Sequence, residues 1–156
     1  MMADQTFLSW PFFEDHHRVL AADLDEWAKD ALDTIDHSDT DAACRKLVTL
    51  LGEAGIAKYS GAENGHLDVR TLCLIRETLA RHDGLADFVF AMQGLGTGAI
   101  SLFGTDKQKS EWLPKTRSGT AVSAFALTEP GSGSDVANNT MTATLDGDQY
   151  VLNGQK

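Results

Sequence analysis

The chain has 156 residues, with 13 basic and 23 acidic side chains and a formal net charge of −10. Apolar residues make up 42% and charged residues 23%, which is the balance of a globular domain and argues against a disordered chain. An isoelectric point near 4.7 argues against a protein that follows nucleic-acid phosphates. No run approaches the roughly 20 apolar residues that span a bilayer. Met1 to Trp10 lacks the features of a secretory signal, so we expect a cytoplasmic protein with no membrane span.

Up to about residue 118, the spacing of apolar residues predicts helices. Ser9 is predicted to be the N-cap of the first helix, with Pro11 in its first turn. Acids are frequent between Glu14 and Asp41 and lie mostly off the apolar stripe, which indicates a solvated face. The stripe has steps of four, three and four and consists of Leu20, Leu24, Trp27 and Ala31.

Two further helices are predicted on either side of a loop. The second helix runs from about Asp39 to Ala54, and Gly55 is a natural stop after it. The loop Ser60–Asp68 contains Gly61, Asn64 and Gly65, and Asp68 is predicted to cap the third helix. The inward-facing residues are predicted to be Leu47, Leu50, Leu51 and Ala54 in the second helix, and Leu72, Ile75 and Leu79 in the third.

The segment from Leu85 to Phe103 is apolar enough to form a buried helix. Glycines at every second position, Gly94, Gly96 and Gly98, reduce its helix propensity and require an explanation. Two explanations stay open: close packing against a neighbouring segment, or space left for a ligand. The spacing is not G-x-G-x-x-G and no strand precedes it, which disfavours a dinucleotide-binding fold.

A short helix and then a change of period follow. Thr105-x-x-Gln108 predicts a capping box that opens a helix through Trp112, which Pro114 is expected to end. The apolar run from Ala121 to Leu127 then fits a strand.

Two later segments predict a hairpin. Thr140 to Leu145 alternates in polarity, and Asp146-Gly147 connects it to a second β-rich run, Gln149 to Leu152. Asn153-Gly154 signals a further turn with no third strand after it. Because a two-stranded hairpin is marginal alone, the sequence is predicted to stop inside a β domain.

The sequence lacks the common catalytic patterns H-E-x-x-H, G-x-S-x-G and G-x-x-x-x-G-K-[ST]. His16 and His17 are neighbours on a predicted acidic helix, so we expect both to face solvent and to make a poor metal pair. Cys44 and Cys73 lack metal-ligand spacing and are predicted to be buried thiols in a reducing compartment. We therefore predict no metal ligand.

One segment has the composition of a ligand-binding loop: Phe125-Ala-Leu-Thr-Glu-Pro-Gly-Ser-Gly-Ser-Asp135. Glycine lets backbone N–H groups approach a ligand, and successive N–H groups form an anion-binding nest. Thr128 can offer a hydroxyl to a heteroaromatic ring or a carbonyl. Glu129 and Asp135 argue against a bare phosphate cradle unless they point away and hold the loop through backbone hydrogen bonds. The alternative is a tight Pro-Gly surface turn.

This loop also carries a resemblance to a known family. Phe125 to Val136, followed by Thr142-Ala-Thr and by Asp146 to Lys156, resembles the signature of the acyl-CoA dehydrogenase family. Three upstream stretches resemble family segments: Leu50-Leu-Gly-Glu-Ala-Gly-Ile, Gly104-Thr-Asp-Lys-Gln-Lys and Trp112-Leu-Pro-Lys. The resemblance implies a truncated α+β fold. Residues 1–120 would form an all-helical N-terminal domain, and residues 121–156 the first strands of a β-barrel middle domain with a flavin-binding loop.

The resemblance implies a FAD-dependent oxidoreductase of fatty-acid metabolism that oxidises the α,β bond of an acyl-CoA thioester. It further implies electron-transferring flavoprotein as the acceptor and a homo-oligomer at full length. Thr128 would hydrogen-bond the flavin ring. The implied cofactor-binding residues are Phe125, Leu127, Thr128, Gly133 and Ser134. The implied substrate-binding residues are Ser134, Asp87, Ala91 and Gly94, the last three on the helix that lines the acyl tunnel in the family.

No residue matches the family's glutamate base, which lies on a C-terminal helical domain. We therefore predict no catalytic residue here and expect the chain alone to be inactive. Two alternatives stay open. One is a non-catalytic short protein that binds flavin or assembles only with a partner chain. The other is a fragment of a related acyl-CoA oxidase or flavin monooxygenase, although the Thr128-Glu129-Pro130 core favours the dehydrogenase.

Overall fold

The computed structural model describes residues 4–62 and 65–156, so the predicted loop residue Asn64 lies outside the described residues. Within them the chain forms five α-helices and one pair of strands. They are α1 (Asp15–Leu32), α2 (Thr40–Glu53), α3 (Val69–His82), α4 (Gly84–Phe103), α5 (Asp106–Arg117), β1 (Thr142–Asp146) and β2 (Gln149–Asn153). The chain divides into two compact units, a helical unit that ends at Ala124 and a second unit, Phe125–Lys156.

The helical unit is held together by one apolar core. Helix α1 packs on α3, and α4 packs on α2, α3 and α5. Each fully buried leucine, isoleucine or phenylalanine contributes about 1.5–3 kcal/mol relative to leaving it exposed. The largest of these side chains are Leu47, Leu51, Ile75, Leu79 and Phe90.

Aspartates start three of the helices, and the predicted cap at Asp68 is confirmed. The carboxylates of Asp39, Asp68 and Asp83 accept hydrogen bonds from backbone N–H groups in the first turns of α2, α3 and α4. These bonds satisfy N–H groups that have no partner within the helix. Gly55 follows α2 with a φ of +69°, so its predicted role as a stop is confirmed.

The predicted start of α1 is wrong. Ser9 ends a short 3-10 turn, Thr6–Ser9, and Pro11 lies in the turn that follows, before α1. Helix α1 begins at Asp15, where Glu14 and His17 form a reciprocal capping box. A capping box satisfies two backbone groups and so outweighs the weaker signal of an upstream serine.

The buried face of α1 is rotated from the predicted one. The prediction is correct for Leu24, but Leu20 and Trp27 are only partly buried and pack against the margin of the core. Ala31 is partly buried as well. A polar residue, His17, occupies the first position of the buried stripe, and hydropathy patterns do not count such a residue. The stripe is His17, Ala21, Leu24, Ala28 and Leu32. In α2, Ala54 is exposed as the C-cap rather than inward.

Helix α5 has the predicted capping box but not the predicted end. Thr105 Oγ1 accepts from the Gln108 N–H at 3.3 Å, and Gln108 Oε1 accepts from the Thr105 N–H at 2.9 Å. The helix includes Pro114 and continues to Arg117. Proline removes one N–H donor, but the following residues still donate, and the Ser118 N–H reaches the Pro114 carbonyl at 3.0 Å.

The strand predicted for Ala121 to Leu127 is wrong, because none of these residues pairs with a strand in the described part of the chain. A strand needs a neighbouring ladder for its backbone groups. Here the side chain of Gln93 accepts from the Ser123 N–H at 2.7 Å and donates to the Ala121 carbonyl at 3.0 Å.

The predicted hairpin is confirmed. Strands β1 and β2 pair antiparallel, with Asp146 opposite Gln149. The predicted Asp146-Gly147 connection is shifted by one residue, because Asp146 belongs to β1 and the two-residue turn is Gly147-Asp148. Gly147 has a φ of +62°, which the first central residue of a primed hairpin turn requires. All ten strand residues are exposed, so neither face of the pair is buried within the described chain.

Two expectations about burial and length need correction. By length and composition alone α4 could cross a membrane, with a mean hydropathy of 1.3, contrary to the prediction that no run approaches that limit. This is weak support for a span, because a core helix passes the same test, and α4 packs on three other helices.

The two cysteines were predicted to be buried, but Cys44 is half-buried and Cys73 is exposed. Cys73 lies on the outer side of α3, beside the inward-facing Leu74.

Candidate functional site

The predicted ligand-binding loop lies in the second unit and is built on a tight turn. Pro130 and Gly131 form the tip. Paired backbone hydrogen bonds close the turn, from Glu129 N–H to the Ser132 carbonyl at 2.8 Å and from Ser132 N–H to the Glu129 carbonyl at 3.1 Å. Ser132 Oγ donates to the Asp135 carbonyl. The Pro-Gly turn that the sequence offered as one alternative is therefore present, and it gives the loop a defined shape.

The carboxylate of Glu129 holds this loop from inside the unit. Its side chain is only 3% exposed. Oε2 accepts from the Thr140 N–H at 2.6 Å and from the Thr140 hydroxyl at 2.8 Å. Oε1 accepts from the Met141 N–H at 3.0 Å and pairs with Lys156 Nζ at 3.0 Å. The sequence predicts that an acid fits a ligand-binding loop only if its carboxylate holds the loop through backbone hydrogen bonds. Glu129 does so.

These hydrogen bonds lower the pKa of Glu129 from 4.5 to about 2. The Thr140 N–H has the largest effect, followed by the Lys156 ammonium and the Met141 N–H, while burial acts in the opposite direction. A carboxylate with such a low pKa is fully ionised at neutral pH and is a weak base. Glu129 is therefore a structural anion rather than a general base.

Protonation of Glu129 is expected to loosen the loop. Because folding lowers its pKa from 4.5 to about 2, its stabilising effect is complete above pH 4.5 and is lost as the pH falls through about 2. Hydrogen exchange measures this directly: protection of the Thr140 and Met141 amides, corrected for the intrinsic rate, should fall across that interval. Glu129→Gln should remove most of the pH dependence, and an equal fall in the variant would contradict the assignment.

The five residues predicted to bind a cofactor all lie on the surface of the second unit: Phe125, Leu127, Thr128, Gly133 and Ser134. Phe125 is 49% and Leu127 36% exposed, as are apolar residues of the hairpin in the same unit. Thr128, next to Leu127 in the chain, and Ser134 are exposed as well, and a Cβ on Gly133 would meet open space. Apolar surface with a few hydroxyl and backbone donors is the set of groups that an aromatic cofactor with polar edges requires.

The predicted substrate residues of α4 already have contacts of their own. Asp87 forms a bidentate ion pair with Arg76 of α3, at 2.8 and 2.9 Å. This hydrogen bond raises the pKa of the Arg76 guanidinium. Ala91 is half-buried. A substrate role for Asp87, Ala91 and Gly94 stays a prediction, as it does for Ser134, which belongs to the other compact unit.

The glycines of α4 permit close packing at two of their three positions. A Cβ on Gly94 would overlap the Ser60 carbonyl oxygen. A Cβ on Gly96 would lie 2.6 Å from Ser123 Cβ, well inside van der Waals contact. Gly98, in contrast, faces open space. Close approach of the backbone is therefore a sufficient reason for Gly94 and Gly96, and it does not apply to Gly98.

Gln93 is a structural residue that the sequence reasoning missed. Its side chain is 2% exposed, and all its polar capacity is used. Nε2 donates to the carbonyls of Thr116 and Ala121, at 3.2 and 3.0 Å. Oε1 accepts from the N–H and the hydroxyl of Ser123, at 2.7 and 3.0 Å. Gln93 thereby fixes the segment that immediately precedes Phe125. The sequence feature that could have identified Gln93 is a single amide side chain within an otherwise apolar helix.

His17 is buried, so the prediction that it faces solvent is wrong. The Glu14 N–H donates to His17 Nδ1 at 3.1 Å, so we assign the ring proton to Nε2, which donates to Asp68 Oδ2 at 3.0 Å. Burial raises the pKa of Asp68, but hydrogen bonds from His17 and Thr71 outweigh it and hold that pKa well below its usual range. The bond ties the start of α1 to the N-cap of α3.

The side chains of His16, His17 and Asp68 lie close enough together to suggest a metal site. His16 Nε2 is 3.8 Å from Asp68 Oδ2. A metal ion binds a histidine nitrogen that carries no proton. In His17, Nδ1 already accepts a backbone hydrogen bond and Nε2 carries the ring proton, so neither nitrogen has a free lone pair for a metal. The hydrogen bonding of His17 therefore favours a structural role for this cluster.

Comparison with known proteins agrees with this architecture. Residues 14–120 match the family model "Acyl-CoA dehydrogenase, N-terminal domain", and residues 124–156 match "Acyl-CoA dehydrogenase, middle domain". A "Probable acyl-CoA dehydrogenase" from Bacillus subtilis (strain 168) is 35% identical over 153 residues, which cover 92% of this chain and 26% of that protein. The chain thus spans about a quarter of the length of this curated relative.

Solved structures give the same result. An acyl-CoA dehydrogenase complexed with FAD from Bacillus anthracis matches with a TM-score of 0.74 and 31% identity, over 99% of this chain and 30% of that one. A chain in a structure described as the electron transferring flavoprotein of Acidaminococcus fermentans matches with a TM-score of 0.72 and 30% identity, over 91% of this chain and 39% of that one. The predicted fold class, a helical N-terminal domain followed by the start of a β domain, is confirmed. The chain belongs to the acyl-CoA dehydrogenase family.

Proposed function

We propose that the protein carrying this chain is a FAD-dependent enzyme that oxidises the α,β carbon–carbon bond of an acyl-CoA thioester. The observation that carries the proposal is the loop Phe125–Ser134. A tight turn, anchored by the buried Glu129, presents exposed apolar and hydroxyl groups together. Family membership and the FAD complex of a relative with the same fold support this interpretation.

In this proposal, the loop residues bind and shield the flavin ring. FAD, when bound, supplies the acceptor for the two electrons removed from the substrate. The Thr128 hydroxyl donates a hydrogen bond to a polar edge of the ring. Phe125 and Leu127 cover an apolar face and exclude water. Gly133 lets the backbone approach closely, and the Ser134 hydroxyl contacts the cofactor or the acyl-CoA.

The helical unit is proposed to contribute to the acyl tunnel. Ala91 and Gly94 lie one turn apart on α4. The small side chain of Ala91 would leave room for an acyl chain, whereas Gly94 packs against the Ser60 carbonyl and would shape the tunnel only by allowing this close approach. Asp87, one turn before Ala91, is held by Arg76, so its role would be to fix this end of the helix beside the substrate. The proton abstraction is assigned to a different part of the protein, because Glu129 is held as an ionised structural group.

The cellular setting and partners belong to the same proposal. Electron-transferring flavoprotein is the proposed electron acceptor, and a neighbour in a structure of such a flavoprotein supports this choice. Fatty-acid metabolism, a homo-oligomeric state and a cytoplasmic location are also proposed. The two free cysteines, one of them exposed, suit a reducing compartment.

Thr128→Val tests the assignment of the flavin contact in the natural protein. Losing one hydrogen bond to the cofactor should cost about 1 kcal/mol, which raises the FAD dissociation constant roughly fivefold. Thr144→Val is the matched control, because Thr144 is an exposed threonine of β1 in the same unit. Unchanged FAD occupancy together with an unchanged reduction potential would remove Thr128 from the site.

A further inference from the structure

The ion pair between Glu129 and Lys156 joins three separate stretches of the second unit. Glu129 lies in the predicted flavin loop. Its carboxylate receives the N–H groups of Thr140 and Met141, which directly precede β1, and the ammonium of Lys156, which follows β2. One carboxylate therefore ties the loop to both ends of the hairpin.

The same pair holds both neighbours of Thr128. Lys156 Nζ donates to the Leu127 carbonyl at 2.9 Å and contacts Glu129 Oε1 at 3.0 Å. Leu127 and Glu129 stand immediately before and after Thr128 in the chain. The position of the Thr128 backbone is thus restrained from both sides by a single pair of opposite charges.

The charges of this pair are also poorly screened. The Glu129 side chain is 3% exposed and the Lys156 side chain 20%. Charges with little water around them act over a longer distance than exposed charges do. While both are present their charges cancel, so the loop beside Thr128 carries no net charge from this source.

We propose that Glu129 and Lys156 are positioning residues for the flavin, which hold Thr128 in place while keeping its surroundings electrically neutral. This inference rests on the proposed function, because it needs a flavin at the loop. It predicts a result that a purely structural role does not. Removing one charge should move the flavin reduction potential in the direction set by the charge that remains, because reduction adds electrons and a nearby cation favours it.

The test uses the natural protein with its bound FAD and five variants. Glu129→Gln leaves the lysine cation and should raise the reduction potential. Lys156→Met leaves the carboxylate, still bound by Thr140 and Met141, and should lower it. The double variant should return close to the wild-type potential. Each single variant should also raise the FAD dissociation constant roughly 3- to 10-fold, as expected for the loss of a positioning contact. The control is Asp148→Asn, which removes an exposed charge in the hairpin turn.

Lys156→Arg keeps the charge and a donor, and it should retain the wild-type potential. If Glu129→Gln does not give folded protein, the contrast between Lys156→Met and Lys156→Arg decides the question alone. Shifts of both single variants in the same direction would overturn the inference, as would potentials and FAD affinities equal to wild type. Either result leaves the proposed function intact. A natural protein that binds no FAD would overturn both.

Discussion

Gln93→Leu is expected to lower the free energy of unfolding of the helical unit by about 3 kcal/mol or more. The substitution keeps the apolar volume but removes the partners of the Ala121 carbonyl and the Ser123 N–H, while the Thr116 carbonyl keeps the Gly119 N–H at 3.3 Å. Each buried polar group left without a partner costs about 1–3 kcal/mol. Urea unfolding followed by helical circular dichroism measures the change as a lower midpoint with an unchanged slope.

Gln149→Leu is the matched control for this experiment. Gln149 is an exposed residue at the start of β2, so the same chemical change should have little effect on the helical unit. A Gln93→Leu variant as stable as wild type would show that the amide network does not fix the segment before Phe125.

Gly94→Ala is expected to destabilise the helical unit by about 1–3 kcal/mol, because its new Cβ would overlap the carbonyl oxygen of Ser60. Gly98→Ala provides a control in the same helix. Its Cβ meets open space, so the better helix propensity of alanine should stabilise the unit by up to about 1 kcal/mol. The measurement is again urea unfolding of the two variants beside wild type.

This pair of variants separates the two explanations of the glycine pattern. Close packing predicts a loss of stability for Gly94→Ala and none for Gly98→Ala. If Gly94→Ala were as stable as wild type but bound acyl-CoA less tightly, space for a ligand would be the reason for the glycine.

The features that the sequence predicts well are those decided by neighbouring residues. Asp68 caps its helix through contacts two or three residues away, and the Thr105 capping box is equally local. The hairpin follows from alternation and an Asp-Gly turn. Several ordered motifs also sufficed to recognise the family, although none of them identifies a base.

The features that the sequence misses depend on distant partners. Gln93 is satisfied by Ser123, 30 residues away, and His17 by Asp68, 51 residues away. Hydropathy counts both as polar and therefore as exposed, although a partnered polar group is stable when buried. The apolar run Ala121–Leu127 failed as a strand for the same reason, since a local pattern does not reveal whether a pairing strand exists.

The candidate site shows both outcomes within one loop. The sequence predicted the Pro130-Gly131 turn as one alternative. It also indicated that Glu129 must hold the loop through backbone hydrogen bonds if the loop binds a ligand. The groups that hold Glu129, Thr140 and Lys156, lie 11 and 27 residues further along the chain and become apparent only in the folded unit.

The most direct test of the central claim is the visible absorption spectrum of the natural protein, recorded without oxygen before and after addition of butyryl-, octanoyl- or palmitoyl-CoA. The proposed function predicts the bands of an oxidised flavin, and their loss with at least one of these thioesters as the flavin is reduced. A protein without flavin bands, or a bound flavin that none of the thioesters reduces, would contradict it.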